Sequence, residues 1–142
     1  MQSILDIKMK METQAKQEFS AAAGALLEEE QRLEKLKLVK ASYEKEAVRL
    51  LEGILNFRDI EDNKQSIIFM EEQIMLQKAR ILEAEKNLER AREKLTQVMM
   101  ERKTHETLRE KAFEAFLQDE NRAESKSIDE LTSYTYGQKK EG

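Results

Sequence analysis

"RLLEGILNFRDIEDN", residues 49–63, interrupts the helical rhythm of a chain of 142 residues. On either side, apolar residues recur every three or four positions for dozens of residues, whereas here Gly53, Asn56, Asp59 and Asp62 arrive together. Gly53 suits the position just past a helix C-terminus, where a left-handed backbone is needed. Asn56 or Asp59 can cap a following helix, and Asp59, Glu61 and Asp62 place negative charge near its N-terminus, where the helix dipole favours it. A stop followed so closely by a start joins antiparallel neighbours most naturally. The stretch therefore predicts a hairpin tip, with helix 1 over about 2–52, a turn at about 53–58 and helix 2 over about 58–132. The competing arrangement is a parallel homodimer of near-continuous helices kinked at Gly53, which buries a similar stripe. A lone helix is excluded, because ordering a backbone costs about 1–2 kcal/mol per residue and a narrow stripe needs a partner.

Downstream of the break the pattern is regular. Ile60, Ile67, Ile74, Ile81, Leu88 and Leu95 repeat every seven residues, and Met70, Gln77, Ala84, Ala91 and Val98 form the second seam three positions on. This is the heptad of a left-handed coiled coil. Upstream, Phe19, Ala22, Leu26, Leu33, Leu36, Tyr43, Ala47, Leu50 and Ile54 keep the rhythm, with Glu29 and Lys40 at positions where apolar residues are expected. Before Phe19, the series Ile4, Ile7, Met11 and Ala15 predicts a local change of winding. "SAAAGALL", residues 20–27, contains Gly24, and glycine inside a helix costs about 1 kcal/mol relative to alanine. A close neighbour is expected there, with the patch around Ala21 meeting Ala84 and Ala91. The methionines are expected to fill the seam.

Composition agrees with an all-α chain. There is no proline, cysteine or tryptophan and charged residues make up 38%, which fits long helices with a narrow apolar stripe. Without cysteine there can be no disulfide, thiolate nucleophile or cysteine zinc site. The net charge of −4 is spread over interspersed acids and bases, so no basic face suggests nucleic acid or anionic lipid. No apolar run approaches the roughly 20 residues that cross a bilayer, and the early charges of "MQSILDIKMKMETQ" argue against a signal peptide.

Chemistry is scarce. His105 is the only histidine and falls on a seam. No phosphate-cradling glycine loop, nucleophile elbow or paired metal-binding histidines occur, and a two-stranded coil offers no cavity in which to desolvate a carboxylate. No catalytic residue, metal site or cofactor is expected. Arg102 and Arg109 continue a seam where burying an unpaired charge would cost several kcal/mol, so they must reach water or meet acids such as Asp6 and Glu12. The first arm spans about 78 Å and the second about 110 Å, so residues beyond about 110 overhang. That overhang, "KAFEAFLQDE", puts Phe113, Phe116 and Leu117 on one face. Either it is a contact site or residues ahead of Met1 in the natural protein cover it. After "SIDEL", where Ser127 and Glu130 can form a capping box, residues 133–142 are expected to be disordered.

Four stretches resemble one family. "ILDIKMKMETQAKQEF" at 4–19 is similar to a leading "LLDIK" element, and "RLLEGILNFRDIEDNKQSIIFMEEQI" at 49–74 to a central glycine break and restart. "LERAREKLTQVMMERKTHETLREKAFEAF" at 88–116 is similar to the pattern LxxARxxLxxAMxxRKxxExLxEKxxExF, and "DEL" at 129–131 to a closing acidic pair. In this order and spacing they resemble the FliJ family, the coiled-coil component of the flagellar type III export apparatus. Members usually carry a few residues, often aromatic, before "LLDIK", so part of the natural N-terminus is expected to precede Met1.

The resemblance implies an antiparallel two-helix hairpin similar to the central stalk of rotary ATPases. It implies a non-catalytic stalk or linker that binds the hexameric flagellar export ATPase, contacts the export gate membrane protein and interacts with export chaperones. Such a protein acts in flagellum biogenesis and motility. It sits in the cytoplasm against the membrane through the apparatus, without inserting into the membrane or binding nucleic acid. Arg102, Arg109, Phe113, Phe116 and Leu117 are candidates for the ATPase-facing end. Arg32, Leu36, Val39, Tyr43, Ile67 and Ile74 are candidates for the gate-facing surface. The alternatives are an export chaperone or adaptor holding flagellar substrates, and a purely structural coiled coil.

Overall fold

The computed structural model describes the backbone of residues 3–141 and the side chains of residues 3–135. The described residues form two helices, α1 (Ile4–Arg49) and α2 (Phe57–Glu141), and no strand. The predicted all-α, two-helix architecture is present. The chain falls into two compact units, Lys10–Val98 on the one hand and Met1–Met9 with Met99–Gly142 on the other.

Each helix begins on a polar cap. The Ser3 hydroxyl accepts the backbone N–H of Asp6 at 3.2 Å. Of the two expected caps for α2 it is Asn56 that serves, its side-chain oxygen accepting the N–H groups of Arg58 at 3.1 Å and Asp59 at 3.2 Å. These bonds satisfy donors that have no partner inside the helix. Helix α1 ends at Arg49, short of the expected residue 52. The N–H groups of Leu51 and Glu52 bond three residues back, to Val48 at 3.2 Å and Arg49 at 3.1 Å, which tightens the last turn. Gly53 then takes φ +72°, the left-handed conformation expected of it. At the far end α2 continues to Glu141, past the expected stop near 132 and through most of the tail expected to be disordered. Nothing but Gly137 opposes helix there, at about 1 kcal/mol, and Ser127 and Glu130 lie inside the helix rather than at its start. Gln2 and Gly142, at the limits of the predicted boundaries, lie outside the described residues.

In the unit Lys10–Val98 the two helices run antiparallel for about 60 Å. The partners give the direction: Asn63 bonds Tyr43, Lys40 pairs with Glu71, Gln77 bonds Glu29 and Lys94 pairs with Glu18. As residue number rises on α2 it falls on α1. The shielded residues of α2 include Ile60, Asn63, Ile67, Met70, Ile74, Gln77, Ile81, Ala84, Leu88, Ala91, Leu95 and Val98, a heptad without a slip, with Ser66 and Gln73 half-buried at its flank. On α1 the same rhythm holds back through Phe19, Ala15 and Glu12. The predicted change of winding before Phe19 is therefore absent from the seam. Ile7 and Met11 stay 46% and 44% exposed, whereas Glu12 is buried. The local apolar series and the heptad diverge at this point, and the register set by the longer, stronger downstream seam wins.

Only Ala15, Met70, Ala84 and Val98 are buried hydrophobic residues among those described. A two-ply seam is open along both sides and shields few side chains completely. Of the methionines expected to fill it, Met70 does so, while Met75 and Met100 are exposed. The expected close approach at Gly24 does not occur either. Ala21 and Gly24 are exposed, and a methyl group added at Gly24 would meet nothing within 4 Å. Ala22 is the member of that patch on the seam.

The two glycines consequently predict opposite outcomes. Gly24→Ala should stabilise the chain by about 1 kcal/mol, because it improves helix propensity without a clash. Gly53→Ala should destabilise it by about 1 kcal/mol, because a β-carbon strains the left-handed turn. Paired urea denaturation curves followed by circular dichroism check both signs.

Candidate functional site

Two groups of residues stand out as candidate contact surfaces, one in each unit. In the unit that contains the first residues of α1 and the chain from Met99 onward, Leu5 and Lys8 are half-buried, as are Arg102, His105 and Glu106. Lys8 pairs with Glu101 at 3.9 Å. The Arg102 guanidinium donates to both carboxylate oxygens of Glu106 at 2.9 Å, one helical turn away. Glu106 is thus an acid that answers Arg102, whereas Asp6, one of the two expected with Glu12, is exposed in the first turn of α1. This pairing lets a cation occupy a seam position without being stranded, and the guanidinium–carboxylate contact is the strong kind.

Beyond Glu106 every described residue of α2 is exposed. Phe113 is 61% exposed, Phe116 56% and Leu117 44%. Leu5, Glu106, Arg109, Glu110 and Phe113 line an open cleft of about 420 Å³. The structure therefore gathers Arg109 and Phe113 at one place, with Arg102 adjacent through Glu106, while Phe116 and Leu117 follow one turn on. The sequence reading missed the continuation of this stripe. Ile128, Leu131 and Tyr134 are also exposed, and they return to the same side of α2 as Phe113, Phe116 and Leu117 after three helical turns. The eleven-residue step from Leu117 to Ile128 was the available signal, hidden because the intervening residues of that face are charged.

In the other unit the six candidates for a second surface divide. Leu36, Tyr43, Ile67 and Ile74 are half-buried on the seam, and the Tyr43 carbonyl accepts the Asn63 side-chain amide at 3.0 Å. These four hold the helices together. Arg32 and Val39 are exposed. Arg32 donates to Glu29 at 2.8 Å, and Glu29 in turn offers its backbone carbonyl to Gln77 at 2.9 Å. Other exposed apolar residues of this unit include Leu38 on α1 and Phe69, Met75 and Leu76 on α2. Seam periodicity conceals such residues, because it selects for what is inside. Further along, the Arg92 guanidinium lies 6.0 Å from the Phe19 ring centroid, within reach of a cation–π contact.

Near the turn, the Arg49 guanidinium donates to both oxygens of Glu46. That bond holds the Glu46 carboxyl below its ordinary pKa and raises that of Arg49, which also feels Glu52 and Asp59. Among the described residues no group of three or more His, Asp or Glu side chains is placed to hold a metal ion. No helix among them is long and apolar enough to cross a membrane.

The chain matches the family model for the flagellar FliJ protein over residues 1–141. It belongs to the FliJ family. Membership makes it a component of the flagellar export apparatus, as the four motif stretches led one to expect. No curated protein and no solved structure matches the chain. The two surfaces therefore take their meaning from the family and from their own chemistry, an apolar, arginine-flanked helix face in one unit and a mixed surface on a two-helix shaft in the other.

Proposed function

We propose that this FliJ-family chain is a non-catalytic stalk of the flagellar export ATPase complex, binding the ATPase ring and coupling it to the export gate. The observation that carries this reading is the exposed face of α2 formed by Phe113, Phe116 and Leu117 beside Arg102 and Arg109. Two phenylalanines in water on a helix that needs neither for its own packing are the anchors of an interface, and the arginines beside them supply charged hydrogen bonds to a partner. The ATPase hexamer occupies this surface. Arg32 and Val39, with Leu36, Tyr43, Ile67 and Ile74 keeping the shaft straight beneath them, face the gate membrane protein. Export chaperones are further partners, and the protein works at the cytoplasmic face of the membrane without entering it. A shaft stiffened by a slip-free heptad suits the transmission of position, which a flexible tether could not perform.

The test is ATP hydrolysis by the purified export ATPase with increasing amounts of the chain. Wild type should stimulate hydrolysis. The double variant Phe113→Ser/Phe116→Ser should lose at least about tenfold in apparent affinity, the effect of removing two buried aromatic anchors. Its thermal melting should be unchanged, since both residues are exposed. Binding to flagellar export substrates with no effect on the ATPase would replace the stalk by a chaperone.

A further inference from the structure

The turn of the unit Lys10–Val98 carries apolar side chains that the turn does not need. Its conformation rests on Gly53 at φ +72° and on the Asn56 cap. Yet Ile54 is 99% exposed, Phe57 77% and Leu51 64%. Packing of the unit cannot account for Ile54 or Phe57, because neither is shielded by it. Beside this knob lies a hollow of about 270 Å³ whose lining includes Leu51, Ile60, Ile67 and Ile68.

The charge around the knob says what covers it. Over residues 46–64 the acids Glu46, Glu52, Asp59, Glu61 and Asp62 outnumber the bases Arg49, Arg58 and Lys64. Arg49 is already held by Glu46 and lies in the field of Glu52 and Asp59. The collar is acidic. An anionic bilayer would be repelled by it, and a second copy of the turn would bring a like collar against its own. An apolar socket rimmed by lysine or arginine complements both the knob and the collar. We propose that the tip formed by Leu51, Ile54 and Phe57 is a docking knob for a protein whose apolar socket is edged with basic residues. This surface is distinct from the α2 face that binds the ATPase and from the shaft residues around Arg32.

The experiment places a benzophenone amino acid at Ile54 of the full chain in its own cells, with Glu34 on the shaft as control position, and identifies the adducts by mass spectrometry. The expected result is a protein adduct at 54, absent at 34, whose crosslinked segment combines apolar residues with two or more lysines or arginines. The purified adduct partner should then bind Ile54→Ser/Phe57→Ser at least about tenfold more weakly, since two apolar side chains lose their burial. It should bind Glu52→Lys/Asp62→Lys more weakly as well, through charge repulsion, and both variants should melt like wild type. Any of four results overturns the proposal: no adduct at 54, an adduct only with a second copy of this chain, an adduct segment without basic residues, or binding to phosphatidylglycerol vesicles that Ile54→Ser/Phe57→Ser abolishes. Stimulation of the export ATPase by Ile54→Ser/Phe57→Ser should match wild type, so failure of the knob and failure of the stalk assignment are separable.

Discussion

Ala84→Asp is expected to lower the melting temperature by about 6–12 °C at neutral pH, corresponding to about 3 kcal/mol. Ala84 is 8% exposed, between Ile81 and Leu88 on the α2 seam. The bonds from Gln77 to Glu29 and from Lys94 to Glu18 bracket it, which places it opposite the apolar stretch around Ala22 and Leu26. No base lies on the α1 seam opposite, and Arg80, four residues earlier on α2, is exposed to water, so a carboxylate there loses water on folding for a weak, screened pairing. The pH dependence follows with a definite sign. Burial raises the folded-state pKa of the new aspartate above its unfolded value. Its penalty is therefore full above the folded pKa and shrinks as pH falls through it. Melting curves of wild type and variant should converge on acidification, whereas a purely steric effect would leave their separation unchanged.

Asn63→Leu combined with Gln77→Leu is expected to act in the opposite direction on stability and to damage something else. Asn63 is 9% exposed and Gln77 3%, and each donates its side-chain amide to a backbone carbonyl of the facing helix. Those carbonyls belong to α1 residues with an intrahelical bond of their own, and the Glu29 carboxylate, which also accepts the Gln77 amide, keeps its bond to Arg32 when that amide is removed. Leucine adds apolar burial, and the melting temperature should rise by several degrees, for about 1–3 kcal/mol in total. What is lost is uniqueness. A seam made only of apolar residues can slide by a heptad or pair with another chain, whereas a buried amide finds its acceptor in one register. Cysteines at Glu18 and Lys94, whose side chains meet at 2.9 Å in the wild type, report this. They should form one intramolecular crosslink in the parent, with intermolecular products rising in the leucine variant. A single intramolecular product at every protein concentration in both would show that the amides do not set the register.

The residues that escaped the sequence reading share one cause. Asn63 stands seven residues before Met70, and Glu12 seven before Phe19, so both were findable by extending the heptad strictly. Neither was placed on the seam itself, because a polar residue does not announce itself as part of an apolar stripe. The exposed Phe69 and Leu76, and the knob at Ile54, erred the other way: they are apolar and were read as seam or left aside, although the structure turns them to water. Phe113, Phe116 and Leu117 were legible as a face because helical phase alone puts them together. That Arg102 would meet Glu106, one turn along the same helix, was not legible, since the sequence reading looked for its acids on α1.

The division is a physical one. Helix content, the position of the break and the period of the seam are properties of neighbours in the chain, governed by propensity, capping and the left-handed turn at Gly53. They could be read residue by residue. Register, the depth to which each seam residue is shielded and the partner of each buried polar group depend on which atoms the opposite helix brings near. A one-dimensional pattern with many nearly equivalent alignments leaves that choice open. In the folded chain Asn63 meets Tyr43 and Gln77 meets Glu29, pairings that only one alignment of the two helices allows.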